Sequence, residues 1–307
     1  MASSETSGYS ILDQYRTISG KLKKRFLRKP NETEAAKAFA DLGHQCQSQD
    51  LLHYAAISWI AAARCEGMLG NNVNETSYLV KAARQFLKAE EDEVYIDCPS
   101  VPTEYLQASF ACYGHASSRF TEDSVLPLSL NLELTDFLQK IGRNEFVRVH
   151  LDNAVDLSNG RPESQLYCLE KLGEHLVSMG DYVTALQTYQ SMAKMLDNRL
   201  KSGHQCSVLL NCEINSIFLL LILKPSPQNI SPDYARLLEK YTWGNKSDPS
   251  LQACKMSEKL FILMQSLVTI CQSVHTSSLA DLESDFWSFL NAFQKDLLRT
   301  LLKVYTL

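Results

Sequence analysis

The stretch "LEKLGEHLVSMGDYVTALQTYQSMAKML", Leu169–Leu196, decides how this chain is read. Large residues stand at Leu169, Leu172 and Leu176, Gly173 follows Leu172 directly, and Gly180-Asp181-Tyr182 interrupts the pattern. The second half places a small residue, Ala185, four positions before an aromatic one, Tyr189. This spacing describes a pair of helices: glycine and alanine let the backbones approach, and the ring fills the space between them. The register returns in "FADLGHQCQSQDLLHYAAISWIAAA", Phe39–Ala63, through Phe39, Leu42, Gly43 and Cys46, then Ala55, Trp59 and Ala62. A weaker copy runs through Leu134, Leu138, Gly142, Val147, Leu151 and Ala154. One departure stands out, because the small residue expected three positions after Tyr189 is Met192.

Such copies read as helical-pair repeats of the tetratricopeptide kind. The predicted fold is all-α, a right-handed α-solenoid of about 14 helices. Apolar spacing of three and four residues predicts helices over 9–28, 33–48, 51–68, 74–91, 103–119, 124–140, 143–158 and 163–179. It continues through 182–200, 206–223, 232–242, 251–274, 276–290 and 292–305. Asn31, with Glu34 three residues on, resembles a capping box, and Ser231-Pro232 is an N-cap followed by proline at the first helical position. "KPSPQNISP", Lys224–Pro232, reads as a linker because its closely spaced prolines cannot continue a helix. The expected organisation is a disordered N-terminus over 1–8, repeats over 9–223, a Pro-rich linker over 224–231, and a C-terminal helical region over 232–307 continuous with the array.

With 307 residues, 45% of them hydrophobic and 21% charged, the chain has the composition of a folded domain or two. Its 12 glycines and 9 prolines are too few for the many tight turns of an all-β fold. A formal net charge of −5 gives no general attraction to nucleic acid. "MASSETSGYS" has no apolar core and does not read as a secretory signal. Nine cysteines form no C-x-x-C pair, which suits reduced, buried thiols. The most apolar run, Val208–Leu223, is interrupted by Asn211, Glu213 and Asn215 and reads as a buried helix, too short to span a bilayer.

The sequence carries no nucleotide-binding loop, H-E-x-x-H, G-x-S-x-G or paired-cysteine metal motif. Ser191-Met-Ala-Lys194 matches S-x-x-K only formally, since it lies inside a repeat helix without companion motifs. The seven histidines are scattered, and His44 and Cys46 point to different helix faces. "EEDE", Glu90–Glu93, reads as the solvated end of a helix. The expectation is a non-enzymatic chain with no cofactor and no metal.

Several helices are apolar on more than one face: Leu260–Ile270, where eight of eleven residues are hydrophobic, Val208–Leu223 and Leu297–Val304. A helix apolar all round must be covered all round. Two readings stand, a second protein covering a thin array, or a C-terminal domain compact enough to bury these helices itself. Phe286, Trp287 and Phe289 form an aromatic group that reads as core packing, with partner contact as the rival. In "KLKKRFLRK", Lys21–Lys29, six of nine residues are basic: Lys21, Lys23, Lys24, Arg25, Arg28 and Lys29. A docking face, a solvated helix face, a nuclear address and a lipid contact all fit that segment.

"KLKKRFLRKPN" (Lys21–Asn31), "AARQFL" (Ala82–Leu87), "LEKYTW" (Leu238–Trp243) and "LFILMQSLV" (Leu260–Val268) together resemble the forty-kilodalton huntingtin-associated protein family, also called factor VIII intron 22 protein. The likeness runs from about Tyr15 to about Lys303. Relatives can carry a long proline-rich insertion where "KSGHQCS", Lys201–Ser207, stands here. The resemblance implies a tetratricopeptide-like scaffold held one to one between the helical-repeat domains of huntingtin and stabilising it. It further implies a cytoplasmic protein linked to early endosomes through a Rab-family GTPase, with room for a nuclear pool, and no transmembrane segment. The basic residues, with Phe286 and Trp287, are then the expected partner contacts. Phe39, Leu42, Gly43, Ala55, Trp59, Leu169, Leu172, Gly173, Ala185 and Tyr189 are the expected repeat-packing residues. The alternative is a free-standing adaptor holding short peptides in a repeat groove. Its clamp positions would be Ala40, His44, Glu170 and Glu174, and the two acidic ones would repel a terminal carboxylate.

Overall fold

Three- and four-residue apolar spacing makes helices wherever it runs, and fourteen helices and no strand occur among the described residues. The computed structural model describes residues 2–23, 31–95, 104–121, 124–197, 203–226, 228, 230–244, 254–273 and 279–306. The chain divides into two compact units, Met1–Leu157 and Ser158–Leu307.

The first unit holds α1 (Ala2–Leu22), α2 (Glu32–Ser48), α3 (Leu52–Met68), α4 (Asn72–Tyr95), α5 (Glu104–Ser118), α6 (Leu126–Lys140) and α7 (Asn144–Leu157). Each packs on its chain neighbour, most closely α2 on α3 and α3 on α4, and least closely α5 on α6. Helix α1 begins at Ala2, inside the stretch 1–8 that the sequence assigns to a disordered terminus. Once Ile11 is buried, each residue added to the helix gains one backbone hydrogen bond per residue fixed.

The second unit holds α8 (Pro162–Ser178), α9 (Tyr182–Asp197), α10 (Gly203–Leu223), α11 (Pro232–Thr242), α12 (Glu258–Gln272), α13 (Leu279–Phe286) and α14 (Ala292–Thr306). Helix α10 packs on α9, α14 and α11, and α11 to α14 pack in sequence. Ser231 accepts from the Tyr234 amide at 3.4 Å ahead of Pro232, as its spacing predicts. Helix α12 starts at Glu258, seven residues later than the apolar run suggests, because Ser257 caps it through the Leu260 amide at 3.3 Å. Helix α14 is opened by a reciprocal box, with Asn291 and Gln294 each accepting the other's backbone N–H at 2.8 and 3.2 Å.

Four interhelix turns close identically, by a 2.9 Å amide bond five residues back: Leu51 to Cys46, Asn71 to Glu66, Arg143 to Leu138 and Asp181 to Leu176. Gly142 and Gly180 sit in these turns at φ +75° and +78°, a conformation costly for a side chain. Gly142 is therefore a turn residue, not the close-packing glycine that the weaker sequence copy makes it. Eight residues before each closing amide stands a buried residue: Gly43, Ala63, Thr135 and Gly173. Sixteen further on stands a larger buried residue: Trp59, Leu79, Leu151 and Tyr189. Where the first residue is glycine, the second is a ring that lies over it. A Cβ on Gly43 would lie 2.9 Å from Trp59 Cε2, and one on Gly173 would lie 2.7 Å from Tyr189 Cζ. Phe39, Leu42, Ala55, Leu172 and Ala185 are buried alongside, whereas Leu169 is half-buried.

Helix α10 is 21 residues long, longer than the apolar run predicts, and by length and composition alone it could cross a membrane. Within the unit 72% of its apolar window is buried. Phe218 meets Phe286 edge-on at 6.0 Å, Tyr305 donates to the Leu221 carbonyl at 3.0 Å, and Lys224 lies over the Tyr305 ring at 3.8 Å. The second unit thus covers its own apolar helices: Leu260, Phe261, Met264, Leu267, Leu297, Leu298 and Leu301 are all buried within it. Of the two sequence readings, the compact one describes these helices.

Candidate functional site

The partner contacts expected from the sequence fall at two places among the described residues. Helix α1 docks on α2 through Ile11 and through Tyr15, whose ring centroid is 5.1 Å from that of Phe39. Lys21 in its last turn and Lys23 just beyond are exposed, and a helix C-terminus favours cations. Lys24, Arg25, Arg28 and Lys29 lie outside the described residues.

The aromatic pair splits at the end of α13. Phe286 is fully buried against Phe218, which removes it as a surface contact. Trp287 turns outward, 43% exposed, with Lys295 Nζ 4.5 Å and Arg299 Cζ 4.9 Å from its ring. Arg299 also reaches Glu283 and Asp296, so the patch carries compensated charge. Apolar side chains are further exposed at equivalent turn positions: Leu69 and Val73 after α3, Met179 and Val183 after α8.

Elsewhere the polar groups are structural. Arg84 grips Glu133 through two bonds of 2.7 and 2.9 Å, and Tyr113 donates to the same carboxylate at 3.0 Å, joining α4, α5 and α6. These bonds hold the Glu133 carboxyl below the usual range, Arg84 contributing most. Glu75 is buried on α4, where Arg119 at 2.9 Å and His115 at 3.2 Å reach it. Glu75 presses on α3 so closely that a Cβ on Gly67 would lie 2.9 Å from its Oε1. Glu90, expected in solvent, is fully buried beside Arg143 at 3.6 Å, and burial raises its carboxyl above the usual range. Nothing in an i, i+4 pattern marks Glu75 or Glu90, because both are held by residues far away in the sequence.

Among the described residues no thiol is activated. Burial pushes Cys65, Cys112 and Cys271 up to about 11, the opposite of activation. Ser191 donates to the Gln187 carbonyl and Lys194 pairs with Asp233, a local helix bond and an interhelix ion pair. Among the described residues no group of His, Cys, Asp and Glu could hold a metal ion.

A cleft of about 370 Å³ opens among α5, α6 and α7 of the first unit. Its floor is Phe110, Leu130 and Leu134, and Asn131, His150 and Asp156 stand around it. Its location is legible in the sequence only in hindsight, as a glycine, Gly114, on the α5 face that bears Phe110.

Over 357 aligned positions the chain is 31% identical to the "40-kDa huntingtin-associated protein" of Mus musculus, which covers 95% of this chain and 92% of that one. The chain belongs to the 40-kDa huntingtin-associated protein family. The relative of the same name from Rattus norvegicus is likewise 31% identical over 355 positions, with the same coverage. No protein-family model matches the sequence. The mouse alignment is at least 50 positions longer than this 307-residue member of the 40-kDa huntingtin-associated protein family, so that relative carries residues this chain lacks.

Proposed function

We propose that this chain is a non-enzymatic scaffold subunit that binds huntingtin one to one and stabilises it, seated between helical-repeat domains of that partner. The observation that carries the proposal is 31% identity over 95% of the chain to relatives named for association with huntingtin. The exposed Lys21, Lys23 and Trp287 and the apolar turns at Leu69 and Met179 supply surface for such a contact. The recurring Gly43–Trp59 and Gly173–Tyr189 packing supports a tetratricopeptide-like reading of the helix pairs, extended to a right-handed α-solenoid. The family resemblance adds a cytoplasmic location and a role at early endosomes through a Rab-family GTPase. A carboxylate-clamping adaptor is disfavoured: Ala40 is buried, and Glu170 and Glu174 would oppose an anion.

Permanent complexes bury on the order of 2,000–5,000 Å². Co-expression with huntingtin from the same source, followed by size-exclusion chromatography at about 0.5 M salt, tests the reading. The Debye length is then about 4 Å, so contacts made only by surface charge fail. A one-to-one peak that survives is the expected result. A monodisperse free chain that never enters the large peak overturns the proposal.

A further inference from the structure

The cleft among α5, α6 and α7 is built for an occupant of one chemistry. Phe110 is wedged between α5 and α7, 5.7 Å from Phe146 and 5.0 Å from His150, and with Leu130 and Leu134 it gives an apolar floor. Tyr113 lines it too, but its hydroxyl is committed to Glu133. Asn131 spends its amide on the Pro127 carbonyl and its Oδ1 on His150 Nδ1, 3.3 Å away. Burial lowers the His150 pKa, so near neutrality that ring adds no positive charge. Asp156 therefore remains as the only formal charge lining the cleft, with neither an ion pair nor a hydrogen bond among the described residues. An anionic occupant meets no cation there, and the exposed Asp156 carboxylate at the rim favours an occupant that carries positive charge beside its apolar part.

We propose that this cleft is a socket for a segment of the protein partner in which an apolar side chain stands beside a basic one, the first on Phe110, Leu130 and Leu134 and the second on Asp156. A volume of about 370 Å³ has room for a large side chain and a second beside it, near the lower end of the range for ligand pockets. The inference deepens the reading of this chain as a huntingtin-binding subunit and rests on it.

Gly114 makes the test clean. It lines the cleft, and a Cβ placed there meets nothing within 4 Å, so Gly114→Leu adds apolar bulk at the socket from an open position and raises helix propensity. Affinity for co-purified huntingtin is measured for the natural chain, Gly114→Leu and Asp156→Asn, with thermal unfolding of each free chain as the control for folding. The expected result is at least tenfold weaker binding for Gly114→Leu and a several-fold loss for Asp156→Asn that shrinks as salt rises. On the free natural chain, ligand-observed nuclear magnetic resonance should show tryptamine binding at least tenfold tighter than indole-3-acetate, a preference that Asp156→Asn removes. If the natural chain forms no complex, the huntingtin reading falls and takes this occupant with it. If it forms one and both variants bind equally well, the huntingtin reading stands and the socket is wrong. Equal affinity for the two indoles likewise overturns the charge argument, whatever the complex does.

Discussion

Tyr189 lies over Gly173 at a distance that leaves no room for a methyl group, and Trp59 lies over Gly43 in the same way. Gly173→Ala and Gly43→Ala should each lower stability by about 1–3 kcal/mol, since overpacking outweighs the gain in helix propensity. Urea unfolding checks this, and Gly173→Ala combined with Tyr189→Leu should recover most of the loss. Sequence reading finds these residues because their partners sit at fixed offsets. It misses Glu75, Glu90 and Glu133 because their partners come from distant parts of the chain at no fixed spacing. Two of these carboxyls titrate with opposite sign. The folded pKa of Glu133 is depressed, so its stabilisation is present above the unfolded value and is lost as pH falls through the folded one. The folded pKa of Glu90 is raised, so stability declines as pH climbs from the unfolded value through the folded one. Urea midpoints between pH 4 and 8 should therefore separate two variants. Glu133→Gln costs roughly 1 kcal/mol at neutral pH, the pair being partly exposed, and less toward the acid end. Glu90→Gln should gain stability at neutral pH only.

Helix existence is legible almost everywhere, because period and punctuation agree: the Asn31 and Ser231 caps and the proline after Ser231 all form as their spacing predicts. Boundaries slip where apolar runs continue past the structural signal. The predicted 276–290 helix stops at Phe286, and that early stop is what sends Phe286 inward and Trp287 outward. Sequence pattern also cannot say what covers an apolar helix. For α10 the cover is α14, fixed by Gln294 on Asn211 at 3.2 Å, Tyr305 on the Leu221 carbonyl and Lys224 on the Val304 carbonyl. Ending the chain after Leu290 should expose the face of α10 that meets α14, around Asn211 and Leu221. Strong binding of a hydrophobic dye and loss of soluble protein are expected. A truncated chain as soluble and dye-silent as the whole would mean that α14 is not that cover.

At the scale of the whole molecule, apolar excess in the C-terminal helices is not evidence for a partner, since the second unit accounts for it internally. What points outward is smaller: lysines at the end of α1, the exposed Trp243 and Trp287, paired apolar turns and the α5–α7 cleft. Rim charges act mainly on association rate. The double variant Lys21→Glu, Lys23→Glu should slow complex formation with huntingtin at low salt and match the natural rate near 0.5 M. Equal rates at every ionic strength would exclude these lysines from the encounter. The pairing of α10 with α14 also sets a schedule for synthesis. Leu221 and Tyr305 are 84 residues apart, and at about 5–20 residues per second a ribosome needs roughly 4–17 s to cross that gap. For that interval a 21-residue segment with membrane-like composition has left the ribosome ahead of its cover. A nascent chain of this design has to be shielded by a chaperone, or it is open to the insertion machinery before it can fold.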